Sequence, residues 1–187
     1  TLTGSAVYAT GNDLNNLLIG NELANVMDGA TGADQMHGHA GDDRYIADNA
    51  DDTVIEQTHQ GNDTVYASVS YSTAANVENL VLTGTAISAQ GNELGNVLVG
   101  NAQGNSLSAA AGDDLLAGWM GNDQLDGGTG NDTYLYHQGE GRDSITDVSG
   151  MDTVRFGAGI RLDSLAAREY IDGNGQRRVF VSVLNAH

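Results

Sequence analysis

Apolar residues recur along this chain at intervals of nine, and short polar stretches rich in glycine separate them. The spacing runs without a gap through five units that begin at positions 11, 20, 29, 38 and 47. It runs again through five units that begin at positions 91, 100, 109, 118 and 127. One apolar residue in nine fits a six-residue turn followed by a three-residue strand whose middle side chain points inward. The pattern therefore predicts many short strands joined by turns of one repeated form.

Three positions of the nine-residue unit are restricted in residue type, in thirteen units once two-residue insertions are allowed. The eighth position is apolar: Leu18, Met27, Met36, Tyr45, Val54, Val65, Leu98, Leu107, Leu116, Leu125, Tyr134, Ile145 and Val154. The sixth position is Asn or Asp: Asn16, Asn25, Asp34, Asp43, Asp52, Asp63, Asn96, Asn105, Asp114, Asp123, Asp132, Asp143 and Asp152. The fourth position is usually glycine: Gly32, Gly41, Gly61, Gly112, Gly121, Gly130, Gly141 and Gly150. A high glycine content alone would not keep these residue types at a fixed nine-residue spacing, so the chain is built from internal repeats.

A longer period lies on top of the nine-residue period. Residues 1–21 match residues 81–101 at 12 of 21 positions, so the chain contains two tandem copies of a unit of about 80 residues. Between the two runs, residues 67–90 keep strand character. We interpret Asn79-Leu80-Val81 there as a repeat end, with Asn79 in the sixth place and Val81 in the eighth. These residues are expected to form coils of the same solenoid with longer, metal-free turns.

The composition changes after Phe156, where arginine becomes frequent. Asp163 predicts the start of a short helix over 164–168. The stretches 170–172 and 177–184 predict a β-hairpin. A solenoid needs a distinct segment to cover its open end, and this segment is the expected cap. The expected organisation is a first block over 1–66, metal-poor connecting coils over 67–90, a second block over 91–155 and a cap over 156–187.

The sixth-position residues are expected to stack in columns. Two units make a coil of 18 residues, and successive coils lie about 4.8 Å apart in a parallel β-sheet. Asp34 would then lie between Asn16 and Asp52, and Asp123 would lie over Asn105. Carboxylates at that spacing repel one another unless a cation lies between them. Calcium suits the gap because it takes 6–8 oxygen ligands with flexible geometry, whereas magnesium demands a rigid octahedron.

The predicted calcium ligands are the sixth-position side chains together with backbone carbonyls of the glycine-rich turns. The turn residues in this set are Gly29, Gly32, Gly38, Gly41, Ala109, Gly112, Gly118, Gly121, Gly127 and Gly130. The strongest sites are expected at 34–43 and 114–132, and the turns that end in asparagine are weaker sites or starting caps. We predict roughly six to eight calcium ions from the number of turn pairs and the ligand demand of the ion.

The charge balance agrees with cation binding. The chain has 25 acidic residues against 7 basic ones, a net charge of −18, and this excess excludes nucleic acid and anionic membranes as partners. The absence of cysteine excludes disulfides and zinc–thiolate sites. Aromatic residues make up only 5% of the chain, so the core should be thin and metal binding should drive much of the folding. No apolar run approaches 18 residues, so no membrane span is expected.

Other candidate groups carry weaker signals. His37 and His39 form an H-x-H pair that fits a transition-metal site or, more simply, solvated turn residues. Trp119 and Met120 occupy turn positions and should be exposed, where Trp119 would stack on a sugar ring or pack on a neighbouring turn. The chain has no H-E-x-x-H motif, no G-x-S-x-G motif and no cysteine nucleophile. We therefore expect no catalysis here, although a parent protein could carry an enzyme elsewhere.

One unit resembles a known repeat family at every fixed position. The unit reads Gly127-Gly128-Thr129-Gly130-Asn131-Asp132-Thr133-Tyr134-Leu135, and the family pattern is G-G-x-G-x-D-x-U-x of RTX, haemolysin-type, calcium-binding proteins. The resemblance covers 11–66 and 91–155, and residues 131–157 look like the end motif of such repeat blocks. It implies an all-β, right-handed parallel β-roll (β-solenoid) with a cap that contains a β-hairpin. It also implies type I secretion from Gram-negative bacteria and folding outside the cell, where calcium is abundant.

The function expected from the resemblance is a module that folds on calcium binding and supports secretion and stability of a larger secreted protein. The chain begins at Thr1 inside a motif, so we expect it to be a piece of such a protein. Two alternatives remain open at this point. The first is an extracellular module that binds a polysaccharide or another surface partner, and the second is a spacer in a repeat array.

Overall fold

A computed structural model describes the backbone of residues 1–160, 165–171 and 177–183, and the side chains of residues 1–160. Within these residues the regular structure consists of β-strands, and no helix is present. The strands are β1 (Tyr8–Thr10), β2 (Leu17–Ile19), β3 (Val26–Asp28), β4 (Gln35–His37), β5 (Arg44–Ala47), β6 (Thr53–Ile55), β7 (Thr64–Ala67), β8 (Tyr71–Ser72), β9 (Asn79–Leu82), β10 (Ser88–Gln90), β11 (Val97–Val99), β12 (Ser106–Ser108), β13 (Leu115–Ala117), β14 (Gln124–Asp126), β15 (Thr133–Tyr136), β16 (Arg142–Asp147), β17 (Thr153–Phe156), β18 (Leu165–Ile171) and β19 (Arg177–Val183).

The strands wind into a parallel β-solenoid with two faces. The first face is a nine-stranded sheet in the order β1-β3-β5-β7-β9-β11-β13-β15-β17. The second face contains a sheet of β2, β4 and β6 and a longer sheet that runs from β8 through β10, β12 and β14 to β16. Leu18 pairs with Met36, eighteen residues later, and Val26 pairs with Arg44 at the same offset. The predicted all-β fold and the 18-residue coil are therefore confirmed.

The core consists of the middle residues of the strands. Of the thirteen eighth-position side chains, twelve are buried, and only Val154 in the last strand of the first face is partly exposed. Met27, Tyr45 and Leu98 are fully buried. Since each fully buried side chain of this size contributes about 1.5–3 kcal/mol, two single columns of side chains make a thin core. The expected thin interior is thus present.

Coil length varies where the sequence departs from the repeat. The two-residue insertions lengthen three coils to 20 residues, as in the pairing of Arg44 with Thr64. The coil between β7 and β9 is shorter than usual, because Thr64 pairs with Asn79, only 15 residues later. Our expectation of longer turns between residues 67 and 90 was therefore wrong.

The register of β9 also corrects the frame of this connecting region. Leu80 pairs with Val65 on one side and with Leu98 on the other, and both partners are eighth-position core residues. Leu80 thus takes the eighth place that we had given to Val81, and Glu78 takes the sixth place instead of Asn79. The physical reason is burial: the larger Leu80 is fully buried, whereas Val81 faces outward and is half-buried.

The C-terminal segment forms a hairpin that extends the second face. Strands β18 and β19 pair antiparallel, and β19 pairs antiparallel with β16. The predicted helix over 164–168 was wrong, because a strand begins at Leu165. Pairing with β19 along seven residues outweighs the helix propensity of this Ala-rich stretch. Asp163 and the loop over 172–176 lie outside the described residues.

The hairpin pairs with the edge that β16 would otherwise expose, so it extends this sheet by two strands. In the part of the chain that the structure covers, no helix is long and apolar enough to cross a membrane.

Candidate metal centre

Nine of the six-residue turns fall into two backbone classes. In the turns that end in Asp34, Asp43, Asp114, Asp123 and Asp132, the residues at the second and fourth positions both have positive φ. The turn that ends in Asp43 is an example, with φ of 73° at His39 and 116° at Gly41. We call these five the aspartate turns. The four turns that end in Asn16, Asn25, Asn96 and Asn105 have positive φ at neither position, and we call them the asparagine turns.

Glycine at the first position makes room for the carboxylate at the sixth. A Cβ atom built on Gly29 would collide with Asp34 Oδ2, and one built on Gly118 would collide with Asp123 Oδ2. The fourth-position glycines also lie against one another in successive coils, where a Cβ on Gly130 would collide with a backbone carbonyl oxygen. The repeated glycines therefore allow the sixth-position side chain to fold back under its own turn.

A hydrogen-bond ladder joins the sixth positions of successive coils. The backbone N–H of Asn25 donates to Asp43 Oδ1 at 2.6 Å, and the N–H of Asp43 donates to Asp63 Oδ1 at 2.8 Å. On the opposite edge Asp34 receives the N–H of Asn16 and donates its own to Asp52. The remaining bonds join Asn96 to Asp114, Asp114 to Asp132, Asp132 to Asp152, Asn105 to Asp123 and Asp123 to Asp143.

The ladder confirms the stacking that the 18-residue coil predicts. It also gives partners to Asp63, Asp143 and Asp152, which follow insertions. We call the two columns the Asp43 edge and the Asp34 edge. The Asp43 edge carries Asn25, Asp43, Asp63, Asn96, Asp114, Asp132 and Asp152, and the Asp34 edge carries Asn16, Asp34, Asp52, Asn105, Asp123 and Asp143.

The second carboxylate oxygen of six ladder residues is buried and has no hydrogen-bond donor. These oxygens are Oδ2 of Asp34, Asp43, Asp63, Asp114, Asp123 and Asp132, on side chains that are at most 2% exposed. A buried anionic oxygen without a partner is costly, whereas a coordinated metal ion relieves the cost. These oxygens are hard ligands of the kind that calcium prefers.

Burial also shifts the acidity of these groups. The pKa of Asp43, Asp63 and Asp123 is raised to about 7 each, chiefly by burial; the ladder N–H lowers it and the neighbouring carboxylates raise it. Burial likewise raises the pKa of Asp114 to about 6. At neutral pH the turns therefore hold their negative charge at a cost that a bound cation removes.

The asparagine turns satisfy their own amides. Asn25 Oδ1 accepts the backbone N–H of Asn21 at 2.8 Å, and Asn25 Nδ2 donates to Asn21 Oδ1 at 3.2 Å. The same two hydrogen bonds, between the second and sixth turn positions, occur in the turns that end in Asn16, Asn96 and Asn105. These side chains leave no orphaned oxygen, so the geometry favours starting caps over ligands. The Asp52 carboxylate is also satisfied within its own turn, because its Oδ2 accepts the N–H groups of Asp48 and Asn49 at 3.1 Å each.

Three acidic residues that we did not predict lie beside the ladder. Glu78 Oε2 accepts the N–H of Asp63 at 2.8 Å and so fills the sixth place in the short coil. Glu56 and Asp147 each lie with two ladder aspartates in a group whose ligand atoms are all within 4.8 Å of one another. Glu56 and Asp147 occupy the first turn position, where the repeat has Gly or Ala. The sequence signal for both acids is that each directly follows the ninth residue of the preceding unit.

The other candidates from the sequence contribute little to this centre. Neither His37 nor His39 joins a group of three metal-capable side chains among the described residues. Trp119 and Met120 are 50% and 60% exposed, as predicted. The Trp119 ring stacks on His137 of the next coil at a centroid distance of 5.9 Å, so the simpler prediction of packing on a neighbouring turn is also confirmed.

Comparison with known families agrees with the turn geometry. The family model described as the RTX calcium-binding nonapeptide repeat (4 copies) matches residues 10–45, 19–54 and 91–134. These stretches are RTX calcium-binding nonapeptide repeats. All five aspartate turns lie inside the RTX matches, whereas Glu56, Glu78 and Asp147 lie outside them. No curated protein matches the chain. The family description implies calcium as the ion that the matched repeats bind.

Proposed function

We propose that this chain is a calcium-dependent folding module whose aspartate turns bind the ions through the orphaned carboxylate oxygens. The observation that carries the proposal is the set of six buried Oδ2 atoms without donors. Each lies on a turn edge where the next coil supplies a further carboxylate and stacked backbone carbonyls. The thin core leaves the metal-free fold weakly stabilised, so bound calcium would supply much of the folding free energy.

We propose roughly six to eight calcium ions, from the number of turn pairs and the 6–8 oxygens that each ion takes. The ions would neutralise most of the net charge of −18. We assign the sites to two blocks, over 1–66 and 91–155, with a metal-poor connection over 67–90 and a cap over 156–187. The ten turn residues predicted as ligands are proposed to contribute backbone carbonyls.

Calcium-driven folding suits a protein that must stay unfolded until it leaves the cell. Extracellular calcium modules bind in the range of about 10⁻⁴–10⁻³ M, which cytosolic calcium does not reach. RTX repeats are typical of secreted proteins. We therefore propose an extracellular location and a role in type I secretion and in stabilising a larger secreted protein. Far-UV circular dichroism in calcium and then in chelator tests the folding step, and full β signal in chelator would reject it.

A second function is favoured by the surface around Trp119. The ring is half-exposed, and with Met120, Val81, Val99 and Ala102 it lines a shallow apolar depression on the first face. An exposed aromatic ring beside apolar walls suits stacking on a sugar ring. Binding of an extracellular polysaccharide would appear as retention on a glycan column in calcium. Trp119→Ala should abolish the retention without altering calcium-induced folding. If the unsubstituted chain is not retained on the column, polysaccharide binding is rejected.

A further inference from the structure

Glu56 reaches into the metal-binding edge from a position where the repeat has no side chain. It is the first residue of the turn that ends in Asp63, and it lies one coil beyond Gly38, the first residue of the turn that ends in Asp43. A Cβ on Gly38 would collide with Asp43 Oδ2, with Glu56 Oε1 and with the hydroxyl oxygen of Tyr45. The missing side chain of Gly38 is therefore what allows these three groups to meet.

The cluster holds three carboxylates in a buried space. Asp43, Glu56 and Asp63 are 1%, 6% and 1% exposed, and one oxygen of each lies within 4.8 Å of the others. Asp43 Oδ2, Glu56 Oε2 and Asp63 Oδ2 are all buried without a donor. Tyr45 donates its hydroxyl hydrogen to the other Glu56 oxygen, which fixes the orientation of the carboxylate. Three like charges this close repel one another, and a cation between them removes the repulsion.

A similar but more exposed arrangement occurs at the end of the second block, where Asp147 is half-buried and Asp152 is exposed. Asp147 is the first residue of the turn that ends in Asp152, and it groups with Asp132 and Asp152 within 4.8 Å. Tyr134 donates its hydroxyl hydrogen to Asp147 Oδ2 at 2.5 Å and accepts the N–H of Gly127 at 3.0 Å. Asp147 Oδ1 and Asp132 Oδ2 are buried without donors. Both clusters lie on the Asp43 edge, in the last turn of their block on that edge, so the arrangement is built twice.

We propose that Glu56 and Asp147 are cation ligands outside the nonapeptide pattern, and that each completes a three-carboxylate site for a calcium ion at the end of its block. The eighth-position tyrosine in each case is a positioning residue that holds the acid toward the ion. Affinity for calcium rises with the number of charged ligands, so these two sites bind more tightly than the two-carboxylate sites of the aspartate turns. This inference rests on the proposed calcium-dependent function and adds residues to it.

The test compares Glu56→Gln with Glu22→Gln, a matched change at an exposed glutamate in an asparagine turn. Equilibrium dialysis with elemental analysis counts the bound calcium, and circular dichroism follows β content with and without calcium. Glu56→Gln should bind one calcium fewer, or bind one ion at least tenfold more weakly, and should show more β structure in chelator because one buried charge is gone. Glu22→Gln should match the parent chain in both measurements.

Two outcomes would overturn the proposal. In the first, Glu56→Gln keeps the calcium count and affinity of the parent chain. In the second, it loses β structure equally with and without calcium, which would mean that Glu56 only anchors Tyr45. Asp147→Asn repeats the test at the more exposed site and must show the same pattern. A parent chain that binds no calcium would reject the proposed function, whereas a calcium-binding parent with unchanged variants would reject this inference alone.

Discussion

Asp43 joins two successive coils through one carboxylate oxygen and leaves the other unused. Its Oδ1 lies 2.6 Å from the backbone nitrogen of Asn25, eighteen residues earlier, and accepts that N–H. Its Oδ2 is buried and has no donor. The ladder bond thus fixes the carboxylate while the free oxygen stays available to an ion. Every aspartate turn repeats this division of its two carboxylate oxygens.

Asp123→Asn should weaken calcium binding more than Asp13→Asn. The asparagine keeps the oxygen that accepts the Asn105 N–H but removes the charge from a buried ligand. Asp13 is exposed and lies outside the ligand column. We expect a loss of at least about tenfold in calcium affinity, or about 1.4 kcal/mol, for Asp123→Asn in a calorimetric titration. Equal effects of the two substitutions would contradict the assigned frame.

The calcium-free chain should gain β structure as the pH falls from about 7 to about 4. Folding raises the pKa of Asp43, Asp63 and Asp123 from 3.8 to about 7, chiefly through burial. Between these values the folded chain binds more protons than the unfolded chain, so its stability decreases as the pH rises through this window. Circular dichroism in chelator measures the effect. A β signal that decreases on acidification over the same range would be inconsistent with carboxylates buried in the turns.

Gly130→Ala should destabilise the calcium-bound fold more than Gly139→Ala. Both glycines have positive φ, 133° and 89°, so both substitutions introduce backbone strain. Only the Cβ at position 130 would also collide with the Gly112 carbonyl, since a Cβ at position 139 meets no atom within 4 Å. The additional cost of forcing the coils apart is about 1–3 kcal/mol. Thermal unfolding in saturating calcium compares the two, and equal melting temperatures would show that the turns do not stack this closely.

Asn25→Asp alone should not create a calcium site. The turn before Asn25 lacks the positive φ values of the aspartate turns, and the Asn25 amide is already paired with Asn21. We expect the single variant to bind the same number of ions as the parent chain and to be less stable in chelator. Adding Leu23→Gly should permit the aspartate-turn backbone and raise the count by one. An extra ion in the single variant would mean that the residue type, and not the backbone class, decides binding.

Much of this fold follows from the repeat frame. Burying one side chain per nine residues sets both the strand positions and the 18-residue offset, as the pairing of Leu18 with Met36 shows. The positions of Asp34 and Asp123 in the hydrogen-bond ladder follow from the same 18-residue offset. The sequence pattern alone predicts these features because each coil contacts only its neighbouring coils.

The sequence predictions were wrong or incomplete where contacts outside the nine-residue repeat decide the structure. The register at Leu80 depends on which side chain fills the core of a shortened coil, and the sequence pattern does not rank Leu80 above Val81. The strand that begins at Leu165 depends on pairing with β19, which local helix propensity does not reveal. Glu56 was missed because a two-residue insertion follows it and hides its place at the first turn position.

The most direct test of calcium binding in the turns is a crystal structure of the calcium-loaded chain with anomalous scattering from calcium. We expect ions within about 2.3–2.6 Å of the Oδ2 atoms of the ladder aspartates, between successive coils. Those atoms belong to Asp34, Asp43, Asp63, Asp114, Asp123 and Asp132. Ions bound only at the outer surface, with these oxygens hydrogen-bonded or left empty, would contradict this expectation.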